Sequence, residues 1–93
     1  MMLGVFFKTP DDQLDYDVDF SRWLADGDTV TSATADVVPP ESMVSAVNVE
    51  VQGEIVKVWL IDGEPGKTAT VIVTAMTAQN RVKQVNFQIR VKG

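Results

Sequence analysis

The chain is written in side chains that resist helix. It holds 16 Val, 4 Ile and 8 Thr, 28 β-branched residues in 93, against only 4 Leu. Branching at Cβ removes rotamer freedom inside a helix, whereas on a pleated strand the same side chains pack well. With 45% hydrophobic and 23% charged residues the composition is that of a folding chain rather than a disordered one. The expectation is an all-β domain occupying residues 1–93 as one unit with one core.

Alternation places the strands. Val85, Phe87, Ile89 and Val91 alternate with Gln84, Asn86, Gln88 and Arg90, so one face enters a core and the other meets water. Leu14, Tyr16, Val18 and Phe20 alternate with Asp15, Asp17 and Asp19, a period no amphipathic helix produces. After the turn residues Asp26-Gly27-Asp28, the segment from Thr29 to Val37 offers Thr31, Ala33, Ala35 and Val37 as inward positions, and Pro39-Pro40 ends it. Ser45, Val47, Val49 and Val51 form one alternating set against Val44, Ala46, Asn48 and Glu50, and Gly53 turns this strand into Glu54 to Ile61 as a hairpin. Beyond the loop 62–66, Ala69, Val71, Val73 and Ala75 share a face; Ala78 to Arg81 then turn into the last strand. A short apolar segment from Leu3 to Lys8 brings the count to about seven antiparallel strands, the pattern of an Ig-like β-sandwich.

What is missing narrows the chemistry. The chain has no His and no Cys, so it cannot build a Ser-His-Asp or Cys-His nucleophile, a zinc site of ordinary ligands or a disulfide. No catalytic residue, cofactor site or metal site is expected. A net charge of −5 repels phosphate backbones, and no apolar run approaches the roughly 20 residues that span a bilayer, so neither nucleic acid nor membrane is an expected partner. The loop acids Asp11, Asp12, Asp26, Asp28, Asp62 and Glu64 fit no EF-hand spacing and read as solvated turn residues, with a Ca²⁺ site as the sharper alternative. Gly63-Glu64-Pro65-Gly66-Lys67-Thr68 lacks the spacing of a phosphate loop, because position 61 is Ile.

Charge is divided along the chain. Residues 1–41 carry 9 acidic and 2 basic residues, and residues 42–93 carry 4 acidic and 6 basic. Either Asp15, Asp17 and Asp19 lie beside the terminal strand with Arg90 and Lys92, or oppositely charged faces of neighbouring copies meet in a ring or stack. Trp59 is the informative aromatic. Val56, Val58 and Leu60 form one face of its strand and Ile55, Lys57, Trp59 and Ile61 the other. In one register Trp59, Lys57 and Ile61 make an outward interface anchor; in the other Trp59 is the core aromatic of an Ig-like sandwich and Lys57 snorkels. Trp23 is read as capping one end of the core. Phe6 and Phe7, with Met1, Met2, Leu3 and Val5, form an apolar arm that pairs at an edge of its own sheet or adds a strand to a neighbour.

The order of segments resembles a family. Lys8-x-Pro10-Asp11, Leu14-Asp15-Tyr16-x-x-Asp19-Phe20-Ser21, Leu24, Gly27-Asp28-Thr29-Val30 and Val58-Trp59-Leu60-x-x-Gly63-x-x-Gly66 resemble the small fibre-tail adaptor proteins of tailed phages over about residues 8–92. Phe20 stands where that family usually has Trp, and Ala69 where a larger aromatic is expected. The resemblance implies a non-enzymatic structural virion protein, made in the bacterial host cytoplasm, with an Ig-like fold. Its implied partners are phage tail, neck or fibre proteins and neighbouring copies in a ring-like array. It supplies no characterised binding residue, so Trp59, Lys57, Ile61, Phe6 and Phe7 are the candidate partner contacts. A carbohydrate- or ligand-binding Ig-like module, with an exposed aromatic as sugar platform, is the competing reading.

Overall fold

Alternation of inward and outward side chains gives the three interior strands of the fold their burial. The computed structural model describes residues 2–93. Seven strands run in chain order: β1 (Met2–Lys8), β2 (Leu14–Asp19), β3 (Val30–Val38), β4 (Val44–Gln52), β5 (Ile55–Asp62), β6 (Thr68–Thr77) and β7 (Val82–Val91), with one 3-10 turn, Pro40–Ser42, between β3 and β4. Four strands form a sheet in the order β1-β7-β6-β3, and three form a second in the order β2-β5-β4. Between them lie Val56, Val58 and Leu60 of β5, Ala69, Val71 and Val73 of β6, and Val85, Phe87 and Ile89 of β7, all essentially inaccessible. Such a core is what alternating β-branched residues on two facing sheets produce.

The order β2-β5-β4 against β3-β6-β7 is the immunoglobulin arrangement of strands B-E-D against C-F-G. The first strand departs from the all-antiparallel expectation. β1 pairs with β7 in parallel, with Phe6 beside Ile89 and Lys8 beside Val91, and all other neighbours are antiparallel. Chain direction forces this: β1 and β7 both run toward the end of the sandwich where the loop 62–67 lies.

Two strands break the simple alternation. In β3, Val30 pairs with Thr77 and Ser32 with Met76, so Thr31 is an extra residue whose hydroxyl donates to the Met76 carbonyl at 3.1 Å. Thr31 is therefore exposed rather than inward, while Val30 is buried and Ala33, Ala35 and Val37 pack on the core. In β4, Ala46 pairs with Leu60 and Asn48 with Trp59, leaving Val47 unpaired and 56% exposed. Ser45 and Val47 thus part from Val49 and Val51, because a bulge shifts the pleat by one residue. The β4–β5 hairpin closes through Gly53 at φ 64°, as its position predicts.

Polar groups tie the ends. Lys8 is buried, and its Nζ donates to the carbonyls of Thr9 and Asp62, joining the β1–β2 and β5–β6 loops. Burial lowers the Lys8 pKa, against the raising effect of the nearby Asp12, Asp62 and Asp11 carboxylates. At the other end Asp28 Oδ1 accepts the amides of Thr29 at 2.9 Å and Gln79 at 3.0 Å, fastening the β2–β3 loop to the β6–β7 turn. Burial pushes the Asp28 carboxyl up, but the Thr77 hydroxyl, the Gln79 and Thr29 amides and the Arg81 charge together outweigh it and hold the pKa below the ordinary value of 3.8. A depressed carboxyl contributes stability above its unfolded pKa, and that contribution is lost as pH falls through the folded value. Asp28→Asn should therefore melt below wild type at pH 7, with the gap shrinking at pH 3. A gap that stays constant in thermal melts at the two pH values would show that Asp28 acts without its charge.

Candidate partner-binding surfaces

β5 is the middle strand of the three-stranded sheet, and with Val56, Val58 and Leu60 turned inward its remaining side chains must face out. Trp59 stands between Asp15 of β2 and Asn48 of β4, Lys57 between Asp17 and Glu50, and Ile55 between Asp19 and Gln52; Ile61 lies beside Ser45. The outward register is thus the one adopted, and Trp59 is not the core aromatic of the sandwich. Lys57 Nζ sits 3.2 Å from Asp15 Oδ2. The hydrogen bond and charge of Asp15, with the charges of Asp17 and Glu50, raise the Lys57 pKa against a weaker effect of burial. One cation is therefore held among three carboxylates, Asp15, Asp17 and Glu50, with Asp19 beside Ile55 on the same face and Ile55, Trp59 and Ile61 as its apolar stripe.

The other two candidate residues belong to a different surface. Phe6 and Phe7 lie on β1, in the four-stranded sheet. Phe6 turns inward, its ring 5.6 Å from Tyr16 and 5.7 Å from Phe87, yet stays 44% exposed because β1 is an edge. Phe7 faces out, 53% exposed, with Lys92 Nζ 4.4 Å from its ring centre. Adjacent residues of a strand point to opposite faces, so the Phe6-Phe7 pair in the sequence already signals two environments. The apolar arm pairs at the edge of its own sheet; Met1 lies outside the described residues.

The expected charge pairing has a different partner strand. Asp15, Asp17 and Asp19 line β2, which pairs with β5, whereas Arg90 lies on β7 in the opposite sheet and Lys92 just beyond its end. Lys57 takes the pairing role within the chain. The loop acids do not gather either: Asp11, Asp12, Asp62 and Glu64 lie at one end of the sandwich, Asp26 and Asp28 at the other. Among the described residues no three His, Cys, Asp or Glu side chains are placed to hold a metal ion.

Sequence reasoning missed a cavity of about 500 Å³ at the Trp23 end, lined by Phe20, Trp23, Leu24, Arg81, Val82 and Lys83 among others. Trp23 packs edge-on against Phe20 at 5.8 Å, in keeping with its expected capping role, and Lys83 Nζ lies 5.4 Å over its ring. Nothing in the local pattern of Ala78 to Lys83 shows that this turn meets residues 20–24. That contact depends on β7 and β2 lying in facing sheets.

Two sheets packed around an aliphatic core, with Trp59, Ile55 and Ile61 set among charges on one outer face, make a small seven-stranded β-sandwich with an immunoglobulin-like strand order. Residues 8–90 match the family of the podophage GP4 fiber-tail adaptor protein gp77, and the chain belongs to that family. No curated protein matches it.

Proposed function

We propose that this protein is a non-enzymatic structural component of the phage particle that fastens fibres or other appendages to the tail or neck, acting as one unit in repeated, ring-like copies. The observation that carries the proposal is the outer face of β5, where Trp59, Ile55 and Ile61 project from the middle of a sheet whose inner side is fully packed. A Trp held on a rigid strand loses little freedom on docking, and a stripe bordered by Asp15, Asp17, Asp19 and Glu50 favours a partner that brings cations to its rim. Family membership supports tail and fibre proteins as the partners. Repetition adds strength, since several modest contacts made together hold far more firmly than one.

The test is binding of tail and fibre proteins by the Trp59→Ala variant. An interface anchor is worth about 2 kcal/mol or more, so the affinity for one of them should fall about 30-fold or more while Tm stays close to wild type. Unchanged affinity for both would remove this face from the proposal. A fall in Tm matching the loss of binding would make Trp59 a structural residue instead.

A further inference from the structure

The inward row of β7, Val85, Phe87, Ile89 and Val91, continues toward the Trp23 end into Lys83, and the inward row of β6 ends there in Ala75 and Thr77. Ala75 pairs directly with Lys83, so a methyl and a charged tip stand where a large apolar side chain would fill the core. The cavity of about 500 Å³ beside Phe20, Trp23 and Leu24 is what remains. That volume falls in the range of roughly 300–1,000 Å³ of sites that bury a ligand. A second hollow of about 290 Å³ adjoins it: Thr77, Arg81 and Val82 line both, and Thr31, Met76 and Asn80 carry it past the bulge of β3. The two form one groove across this end of the sandwich. Val82, 67% exposed, stands where they meet, and Met76 is 41% exposed in the second.

The rim is positive on a chain whose net charge is −5. Arg81 and Lys83 are the charged residues that line the groove, and among the described residues no carboxylate lines it. Asp28 lies behind the turn with its Oδ1 taken by the Thr29 and Gln79 amides, and its charge answers part of that on Arg81. Lys83 forms no ion pair among the described residues; its Nζ is held over the Trp23 ring, 5.4 Å from the centroid. An ammonium resting on a ring at the mouth of an apolar cavity keeps its other donors for an incoming anion.

We propose that this groove docks an extended segment of a partner protein, which sets an apolar side chain into the cavity beside Trp23 and a carboxylate against Lys83 and Arg81. Two connected hollows suit a stretch of chain, and the apolar wall under a cationic rim selects an acid next to an apolar residue. A second copy of this chain does not offer that combination on a free segment. Met2–Phe7 is apolar but carries no acid, and the acids of β2 belong to a strand already paired with β5. A sugar fits less well, because Lys83 covers one face of the Trp23 ring on which it would stack.

The sign of the groove is opposite to that of the β5 outer face, where Asp15, Asp17 and Glu50 surround the single cation Lys57. Each surface therefore rejects the partner that suits the other, so the two bind different proteins. That those proteins are a tail and a fibre component rests on the function proposed above; the chemistry of the groove does not.

The chain has two tryptophans, Trp23 and Trp59, so Trp59→Phe leaves Trp23 as the sole tryptophan reporter and takes the β5 anchor out of the measurement. The probes are capped pentapeptides with a central Leu, Ile or Phe flanked on both sides by Glu. Each has one counterpart with Lys in place of Glu and another with Ser in place of the central residue. At least one acidic apolar peptide should shift Trp23 emission saturably with Kd of about 1 mM or tighter, and its counterparts should bind about tenfold more weakly or worse. Lys83→Glu, and independently Arg81→Glu, should weaken that peptide about tenfold or more while Tm stays close to wild type. The absence of a saturable shift with any acidic peptide up to about 10 mM would overturn the proposal. So would counterparts that bind equally well, or an affinity that survives both charge reversals. None of these results bears on the Trp59→Ala test of the β5 face, so either reading can fail while the other stands.

Discussion

Replacing Phe87 with Ala is expected to cost about 3–5 kcal/mol, a large fraction of the stability of a domain of this size, whose total is about 5–15 kcal/mol. Phe87 is wholly buried on β7 and lies 5.7 Å from both Phe6 and Tyr16, in an aromatic cluster joining β1, β7 and β2. Its neighbours on β6 and β7 are stiff branched residues held in ladders on both sides, so the hole cannot collapse and the cavity cost adds to the lost burial. Phe6 loses its inward support at the same time, so β1 should show faster amide exchange than β6 in the variant. Val82→Ala, at a position 67% exposed, should stay within about 0.5 kcal/mol in the same chemical denaturation. Equal costs at the two sites would place the core elsewhere.

How far the fold can be read from the chain depends on where alternation is unambiguous. β6 and β7 place polar side chains opposite apolar ones at nearly every step, and their inward sets match the reading residue for residue. β3 and β4 do not. Thr31 and Val47 are tolerated on either face, so a bulge at each leaves no mark in the pattern although it moves every residue on one side of it. β1 is apolar on both faces, which hides its direction as well as its partner. The outward stripe of β5 was half legible. Lys57 pointed the right way, but choosing between two apolar faces needs the sheets on either side, and only the packing of Val58 against the facing sheet settles it. The Asp15–Lys57 pair was illegible for the same reason, since strand order is set by contacts far apart in sequence.

The loop Asp62-Gly63-Glu64-Pro65-Gly66 holds two glycines whose replacement should differ sharply. Gly66 has φ 85° and a Cβ there would meet nothing within 4 Å, while its amide keeps its bond to the Val91 carbonyl; Gly66→Ala costs only the left-handed backbone penalty, about 1–2 kcal/mol. Gly63 has φ 132°, and a Cβ would stand 2.9 and 3.1 Å from the two methyls of Val91 and 3.3 Å from a methyl of Val44. Both valines are buried, so neither can swing into solvent. Overpacking of this kind adds about 1–3 kcal/mol, for a total of about 2–5 kcal/mol. The clash is separable from the strain, because trimming Val91 to Ala removes the closest methyls and leaves the backbone untouched. In a double-mutant cycle Gly63→Ala should therefore cost less in the Val91→Ala background, falling toward the Gly66→Ala value as Val44 alone remains in contact. An unchanged cost would mean that backbone conformation, and not the approach of β5 to β7 across the end of the sandwich, is what requires glycine at position 63.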